Sequence, residues 1–326
     1  MKNRLDIAII FAFIFSSCSD FSGNEDAVEA SLKPGPVTKK KKEESDPTRT
    51  YYDLYGITFG NNTFVAVGKN GTVRTSSDDG ATWDNGTRGT TKDLYEIAYG
   101  NSTFVAVGQD GTHIYSGDDG ATWDNGTWSS VDNANITGVA FGNNTFVGVS
   151  DNKYLTKSTD NGANWVQGCS GVSVYDVAFG NSKFVASGAK GAIQTSDNGS
   201  DPCSTGSSGT MTHTLYGITF GNNRFFSVGS IGKLIISADN GDNFVNKTSP
   251  TTITLVSTVF GNDKFVAVGP YAVVVSDNVG ESALKMDDTV DLNDVTFGNG
   301  VFVAVSDKEK IYRSTDDGDT WTKVYP

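Results

Sequence analysis

The chain has 326 residues, with 38 acidic against 25 basic side chains, a net charge of −13, two histidines and three cysteines. Acids and bases balance before residue 51, so the whole negative surplus lies downstream. An acidic body of that kind repels a phosphate backbone, which argues against nucleic acid as a partner. His113 and His213 stand far apart in sequence and leave no His-based metal site and no Ser-His-Asp triad, so no metal or other cofactor is expected.

Taken in chain order, Lys2 and Arg4 precede an apolar run at 7–15, and Ser16-Ser17-Cys18 follows. A basic start, a short apolar run and small residues before a cleavage point predict an export signal over 1–17. The run is too short to span a bilayer. Phe15-Ser16-Ser17-Cys18 resembles a bacterial lipobox, with Phe15 where the usual Leu stands. The resemblance implies that Cys18 is the acylated mature N-terminus. It also implies a lipid-anchored protein of the bacterial cell envelope, at the outer membrane, with the surface or periplasmic side left open. Residues 18–50 are polar, with Pro34, Pro36 and a lysine run at 39–42. They cannot bury a core and read as a flexible tether, reaching roughly 30 Å by random-coil scaling.

From residue 51 to 326 one phrase recurs seven times. Its Phe/Tyr-Gly-Asn element falls at Phe59, Tyr99, Phe141, Phe179, Phe220, Phe260 and Phe297. A period of about forty residues built from short strands means propeller blades, none able to bury its faces alone. Each copy divides into four strand-like runs. In the first copy these are 54–59, an unbroken apolar run at 64–67, then 72–76, and a last run beginning at Trp83. An unbroken apolar run suits a strand buried on both faces. Asn70-Gly71 supplies the positive φ that a tight hairpin needs. The expected fold is all-β: a seven-bladed propeller with four antiparallel strands per blade, over 51–326. Tyr51-Tyr52 and the run from Trp321 to Pro326 suggest that the chain ends meet without an exchanged strand.

Between the third and fourth runs stands Ser-x-Asp-x-Gly-x-Thr-Trp, complete from Ser76 to Trp83, Ser116 to Trp123 and Ser314 to Trp321. It is nearly complete from Ser158 to Trp165 and from Ser237 to Phe244. This element resembles the Asp-box of BNR-repeat propellers, a superfamily that includes sialidases, sortilin-type receptors and photosystem assembly factors. The residues themselves read as structure. Asp78, Asp118, Asp160, Asp239 and Asp316 should accept backbone N–H groups of their own turns, and Trp83, Trp123, Trp165, Phe244 and Trp321 should plug the gaps between strands.

A sialidase of that superfamily would need three arginines clamping a carboxylate, plus a Tyr nucleophile. Past the tether there are only Arg74, Arg88, Arg224 and Arg313, none on an innermost strand, and sialidases have six blades. Shared turns do not transfer chemistry. The chain is therefore expected to be no enzyme, with no catalytic residues. It reads as a monomeric envelope module binding a protein or a glycan, and a glycan-acting, sialidase-like hydrolase is the alternative.

Candidate ligand residues follow from the repeat frame. Trp128 and Arg88 sit in connections between blades, where variable loops ride on a constant frame. Tyr55, Tyr95, Tyr175 and Tyr216 recur at the starts of innermost strands, next to a position held by Glu96, Asp176 and Asp294 in other blades. Three carboxylates at one channel mouth would raise each other's pKa or attract a cation. The alternative is tyrosines wedged between blades with solvated carboxylates at the rim. Asp-rich turns such as the one at 316–319 lack the spaced ligand loop of a calcium site. Cys169 and Cys203 lie near the outer strands of adjacent blades and are a possible disulfide in an oxidising compartment.

Overall fold

The computed structural model describes residues 51–325, apart from 129–133, 201–202, 207–211, 277–281 and 286–290; for 282–285 it describes the backbone alone. Cys18, the leader and the tether lie outside the described residues. The chain forms a seven-bladed propeller of antiparallel strands. The innermost strands are Leu54–Gly60, Leu94–Gly100, Ile136–Gly142, Val174–Gly180, Leu215–Gly221, Ser257–Gly261 and Leu292–Gly298. Each continues outward through a second, a third and a fourth strand in chain order.

The second strands, such as Thr63–Gly68 and Thr103–Gly108, are buried throughout, apart from the half-buried first residues Lys183, Arg224 and Lys264. They lie mid-blade and are covered by the blades on either side, which is why their sequence is apolar without alternation. Seven apolar clusters result, one at each joint between neighbouring blades. Val65, Val67 and Val73 of blade one, for example, meet Leu94, Ile97 and Phe104 of blade two. The fourth strands form the outer edge and are short and exposed, two residues each at Asp84–Asn85 and Asp124–Asn125, which limits edge pairing. Blade three differs. Its outer strand runs from Asn164 to Ser170 and carries Thr127–Trp128 alongside it in parallel.

The recurring Phe-Gly is a ring of contacts between blades. A Cβ built on Gly60 would stand 2.0 Å from the ring of Tyr99, and the same overlap joins Gly100 to Phe141, Gly142 to Phe179, Gly180 to Phe220, Gly221 to Phe260 and Gly261 to Phe297. The seventh contact, Gly298 against Phe59, closes the circle. Each glycine is therefore the seat of the next blade's aromatic ring. After it, Asn61 and Asn62 both take positive φ, 46° and 58°, giving the type I′ turn that matches strand twist.

All four strands of the seventh blade come from the chain's last stretch, Leu292 to Tyr325, so the ring closes without strand exchange. Side chains make the joint instead. Leu54, Phe64 and Trp83 pack with Val303, Val305 and Ile311. Arg74 Nη2 meets Glu309 Oε2 at 2.8 Å with both side chains almost fully buried. Glu309 also accepts the Tyr52 N–H at 3.1 Å, and Arg313 donates to the Asp79 carbonyl at 2.7 Å.

Candidate functional site

The antiparallel order puts two kinds of loop on each face. One face carries the first-to-second-strand turns and the Ser-x-Asp turns, and it is stitched blade to blade. Asn61 Nδ2 donates to Asp119, Asn101 to Asn161, Asn181 to Asn240, Asn262 to Asp317, and Asn299 to Asp79 across the closing joint.

Within each complete turn the Asp is engaged as well. Asp78 Oδ1 accepts the Ser76 hydroxyl and the Thr82 N–H, at 2.8 and 2.9 Å, and Oδ2 accepts the Thr82 hydroxyl at 2.6 Å. Asp118 and Asp316 repeat this with Thr122 and Thr320, and Asp160 and Asp239 with Asn164 and Asn243. The hydrogen bonds from Thr82, Thr122 and Asn243 hold Asp78, Asp118 and Asp239 below the usual carboxylate range. Burial pushes Asp160 and Asp316 the other way, and the same hydrogen bonds outweigh it. Trp83, Trp123, Trp165 and Trp321 donate their indole N–H to the carbonyl of the turn glycine, while Phe244 is buried without that bond.

The other face carries the second-to-third-strand hairpins and the connections between blades, and the innermost strands start there. Tyr55 and Tyr95 lie 6.1 Å apart between ring centroids, and Tyr175 and Tyr216 lie 6.2 Å apart and stacked. They are wedged in pairs between neighbouring blades. Burial first, then the nearby Asp93 and other carboxylates, pushes the Tyr55 and Tyr95 phenols far above their ordinary value; burial raises Tyr175 and Tyr216 too. None of the four is prepared to become a phenolate nucleophile at neutral pH.

Glu96, Asp176 and Asp294 line a central cavity of about 280 Å³ together with Ile57, Ile218 and Ser257. Contrary to a rim of solvated carboxylates, Glu96 and Asp294 are buried in the channel wall. The innermost strand has no neighbour on its channel edge, so its N–H groups need acceptors. Asp176 accepts the N–H groups of Val177 and of Ile218 in the next blade, at 2.8 and 2.9 Å. Asp294 accepts the Ile57 N–H across the closing joint at 2.8 Å and the Ser257 hydroxyl. Glu96 accepts the N–H of Ile97. The three carboxylates thus cap strand edges in separate blades. Among the described residues no cluster of His, Cys, Asp and Glu is arranged to hold a metal ion.

Trp128 stands in a short strand, half-buried, its ring 6.1 Å from that of His113. It fills the joint between blades two and three rather than projecting from a loop. Arg88 stacks on the Tyr52 ring at 4.9 Å, Arg74 is buried at the closing joint, and Arg224 opens a second strand. The four arginines therefore do not converge. Cys169 and Cys203 come together as a disulfide joining blades three and four, with Cα atoms 6.0 Å apart.

Five of the seven hairpins of this face, those of blades one, two, four, five and seven, share one backbone turn and differ in chemistry at the tip. The residue in register with Asn70 has positive φ in those five blades: Asn70, Asp110, Lys190, Ile231 and Lys308. Blade three takes positive φ at Lys153, the place of Gly71, and blade six turns through the shorter Pro270-Tyr271 with positive φ at Tyr271. Ile231 and Tyr271 are 59% and 43% exposed, two of the few large apolar side chains that face solvent. Sequence reasoning passed over both. For Ile231 the available signal was an apolar residue in register with Asn70, at a place that demands positive φ; for Tyr271 it was a hairpin one residue shorter than the others.

No protein-family model and no curated protein sequence matches the chain. Solved structures do. A structure titled "YCF48 bound to D1 peptide" is similar with a TM-score of 0.67 at 16% identity, over 82% of this chain and 93% of that one. YCF48 from Cyanidioschyzon merolae has a TM-score of 0.65 at 17% identity, over 81% and 96%. The WD40 β-propeller domain of Doa1 also has a TM-score of 0.65 at 17% identity, over 81% and 93%. At such identities the likeness is one of fold: this chain is a β-propeller of the kind those proteins contain.

Proposed function

We propose that the chain is a non-catalytic binding or assembly module of the bacterial cell envelope, held to a membrane through an acylated Cys18 and docking a protein partner on its hairpin face. One observation carries this reading: the two faces of the ring are built for different tasks. The Asp-box face has its polar side chains engaged in joining blades, whereas the hairpin face keeps one backbone turn in five blades, changes it in two, and varies its tips. A rigid frame with variable loops is the usual design of a binding surface. That a YCF48 structure is titled as bound to a D1 peptide, and that its fold is shared here, supports a polypeptide over a glycan as partner.

The alternative of a glycan hydrolase needs a guanidinium cluster and an activated tyrosine. The described arginines are dispersed, and the channel-mouth tyrosines are held protonated by burial.

The reading is tested in cells with a photo-crosslinking amino acid placed at Asn70 or Lys190 on the hairpin face and at Thr82 or Thr122 on the opposite face. Discrete adducts from the first pair alone support it, and adducts from the second pair alone refute it. Anchoring is tested separately: Cys18→Ser should abolish incorporation of labelled fatty acid, and unchanged labelling overturns that part.

A further inference from the structure

The hairpin face divides by charge. Around blades seven, one and two gather Asp53, Asp93, Asp110, Asp291 and Asp307. Of the lysines there, Lys69 lies 3.8 Å from Asp53 and Lys92 lies 2.6 Å from Asp110, while Lys308 and Lys310 stand beside Asp307 and Asp291 and offset part of their charge. Burial and the mutual repulsion of these acids raise the carboxyls of Asp291 and Asp307. Across blades four and five the pattern inverts. Lys190 stands exposed at one tip and Lys233 follows the next, and among the described residues neither has a carboxylate partner.

Between and beyond these lysines are the two apolar tips. Ile231 has φ 57° and Tyr271 has φ 58°. A β-branched residue in the left-handed region is a true outlier, because its Cβ substituents crowd the backbone there. Asn serves the same position in blade one without that strain. Two neighbouring blades thus pair backbone strain with an exposed apolar side chain, neither of which favours the isolated fold. Strain and exposure that coincide belong to functional surfaces. Ile231 has no flat face for a sugar and gains only by covering with another apolar group.

We infer that the arc Lys190–Ile231–Tyr271, over blades four to six, is the docking site for an extended acidic polypeptide segment that carries apolar side chains beside its carboxylates. This rests on the reading of the hairpin face as the binding face and names the chemistry of its partner. The charges choose the occupant. At physiological salt, fields fade over about 8 Å, so the unneutralised Lys190 and Lys233 rule locally although the whole body is acidic. A basic segment would be drawn instead to the opposite half of the face.

The test uses the full chain and, as probe, a fluorescent synthetic peptide in which two glutamates precede leucine and phenylalanine, read by anisotropy. Ile231→Asn and Tyr271→Asn should each weaken binding on the order of tenfold, while thermal stability stays equal or rises because strain is relieved. Lys190→Glu should weaken it likewise and should gain affinity for the peptide with lysines in place of glutamates. Val245→Ser removes an equally exposed apolar group on an outer strand and should change nothing. The inference is overturned if the native chain fails to bind the peptide, if Ile231→Asn binds as tightly, or if anionic lipid vesicles bind and displace the peptide. Crosslinks from Asn70 without loss of binding in Ile231→Asn would sink the arc while leaving the hairpin face as the binding face.

Discussion

Removing either member of the buried pair at the closing joint should destabilise the ring, and removing both should not. Arg74 occupies the place that Ile114, Ile235 and Val274 hold in blades two, five and six, as the pairings of the second and third strands show. Glu309 occupies the place of Gly71, Gly111, Gly191 and Gly232, and takes a φ of 58° where those glycines take 65° to 71°. The chain accepts a left-handed glutamate there, at a cost of about 1–2 kcal/mol. Arg74→Ile leaves a fully buried carboxylate without its guanidinium, and breaking a buried pair in this way costs about 3–5 kcal/mol.

Glu309→Gly regains the backbone term but strands a buried guanidinium, for a net loss of about 1–4 kcal/mol. The double variant restores the glycine-and-aliphatic combination that three other joints already have, and should lie within about 1 kcal/mol of the native chain or above it. Urea unfolding gives these differences directly through the midpoint at constant slope. Each single variant should also lower Tm by on the order of 10 °C, taking roughly 2–4 °C per kcal/mol for a large domain. If Glu309→Gly alone is as stable as the native chain, or if the two losses simply add, the pair is not what locks the ring.

Three further outcomes follow from the same structure. Gly180→Ala drives a methyl group into the Phe220 ring, 2.1 Å away, and should cost about 1–3 kcal/mol or more by calorimetry; full stability would refute the ring-on-glycine packing. The five turn aspartates have folded pKa values below their unfolded ones, so their contribution is full above the unfolded carboxylate pKa and is lost as pH falls through the folded values. Asp291 and Asp307 are shifted upward and act oppositely, favouring the fold as they protonate, but they are fewer. Tm should therefore drop on acidification below about pH 4, and Asp78→Asn together with Asp118→Asn should flatten that drop. Cys169 and Cys203 are 34 residues apart, a loop whose closure is worth up to about 4 kcal/mol by chain entropy. Dithiothreitol should lower Tm and expose two thiols to alkylation, and an unchanged mass after denaturing alkylation without reductant would be required first.

Much of this was readable from residues alone. The seven Phe/Tyr-Gly-Asn copies specify seven blades, because a period of forty residues of short strands buries its faces only by stacking. The unbroken 64–67 run and its copies mark the mid-blade strands. The Ser-x-Asp turns specify their own hydrogen bonds, since donor and acceptor lie within four residues. What the sequence determines, then, is everything local and everything repeated.

The tertiary structure decided what depends on partners distant in the chain. Trp128 is spaced like a loop residue and becomes filler in a joint only because blade three brings an outer strand beside it. Glu96, Asp176 and Asp294 read as solvated carboxylates at a channel rim, yet each is bound to strand-edge N–H groups, some of them in the next blade. Arg74 and Glu309 are 235 residues apart and meet only when the ring shuts. Ile231 and Tyr271 look like ordinary apolar residues in a repeat until the hairpin tips turn them outward. A repeat fixes the backbone of each copy, but which side chains face one another around a closed ring is settled by closure alone.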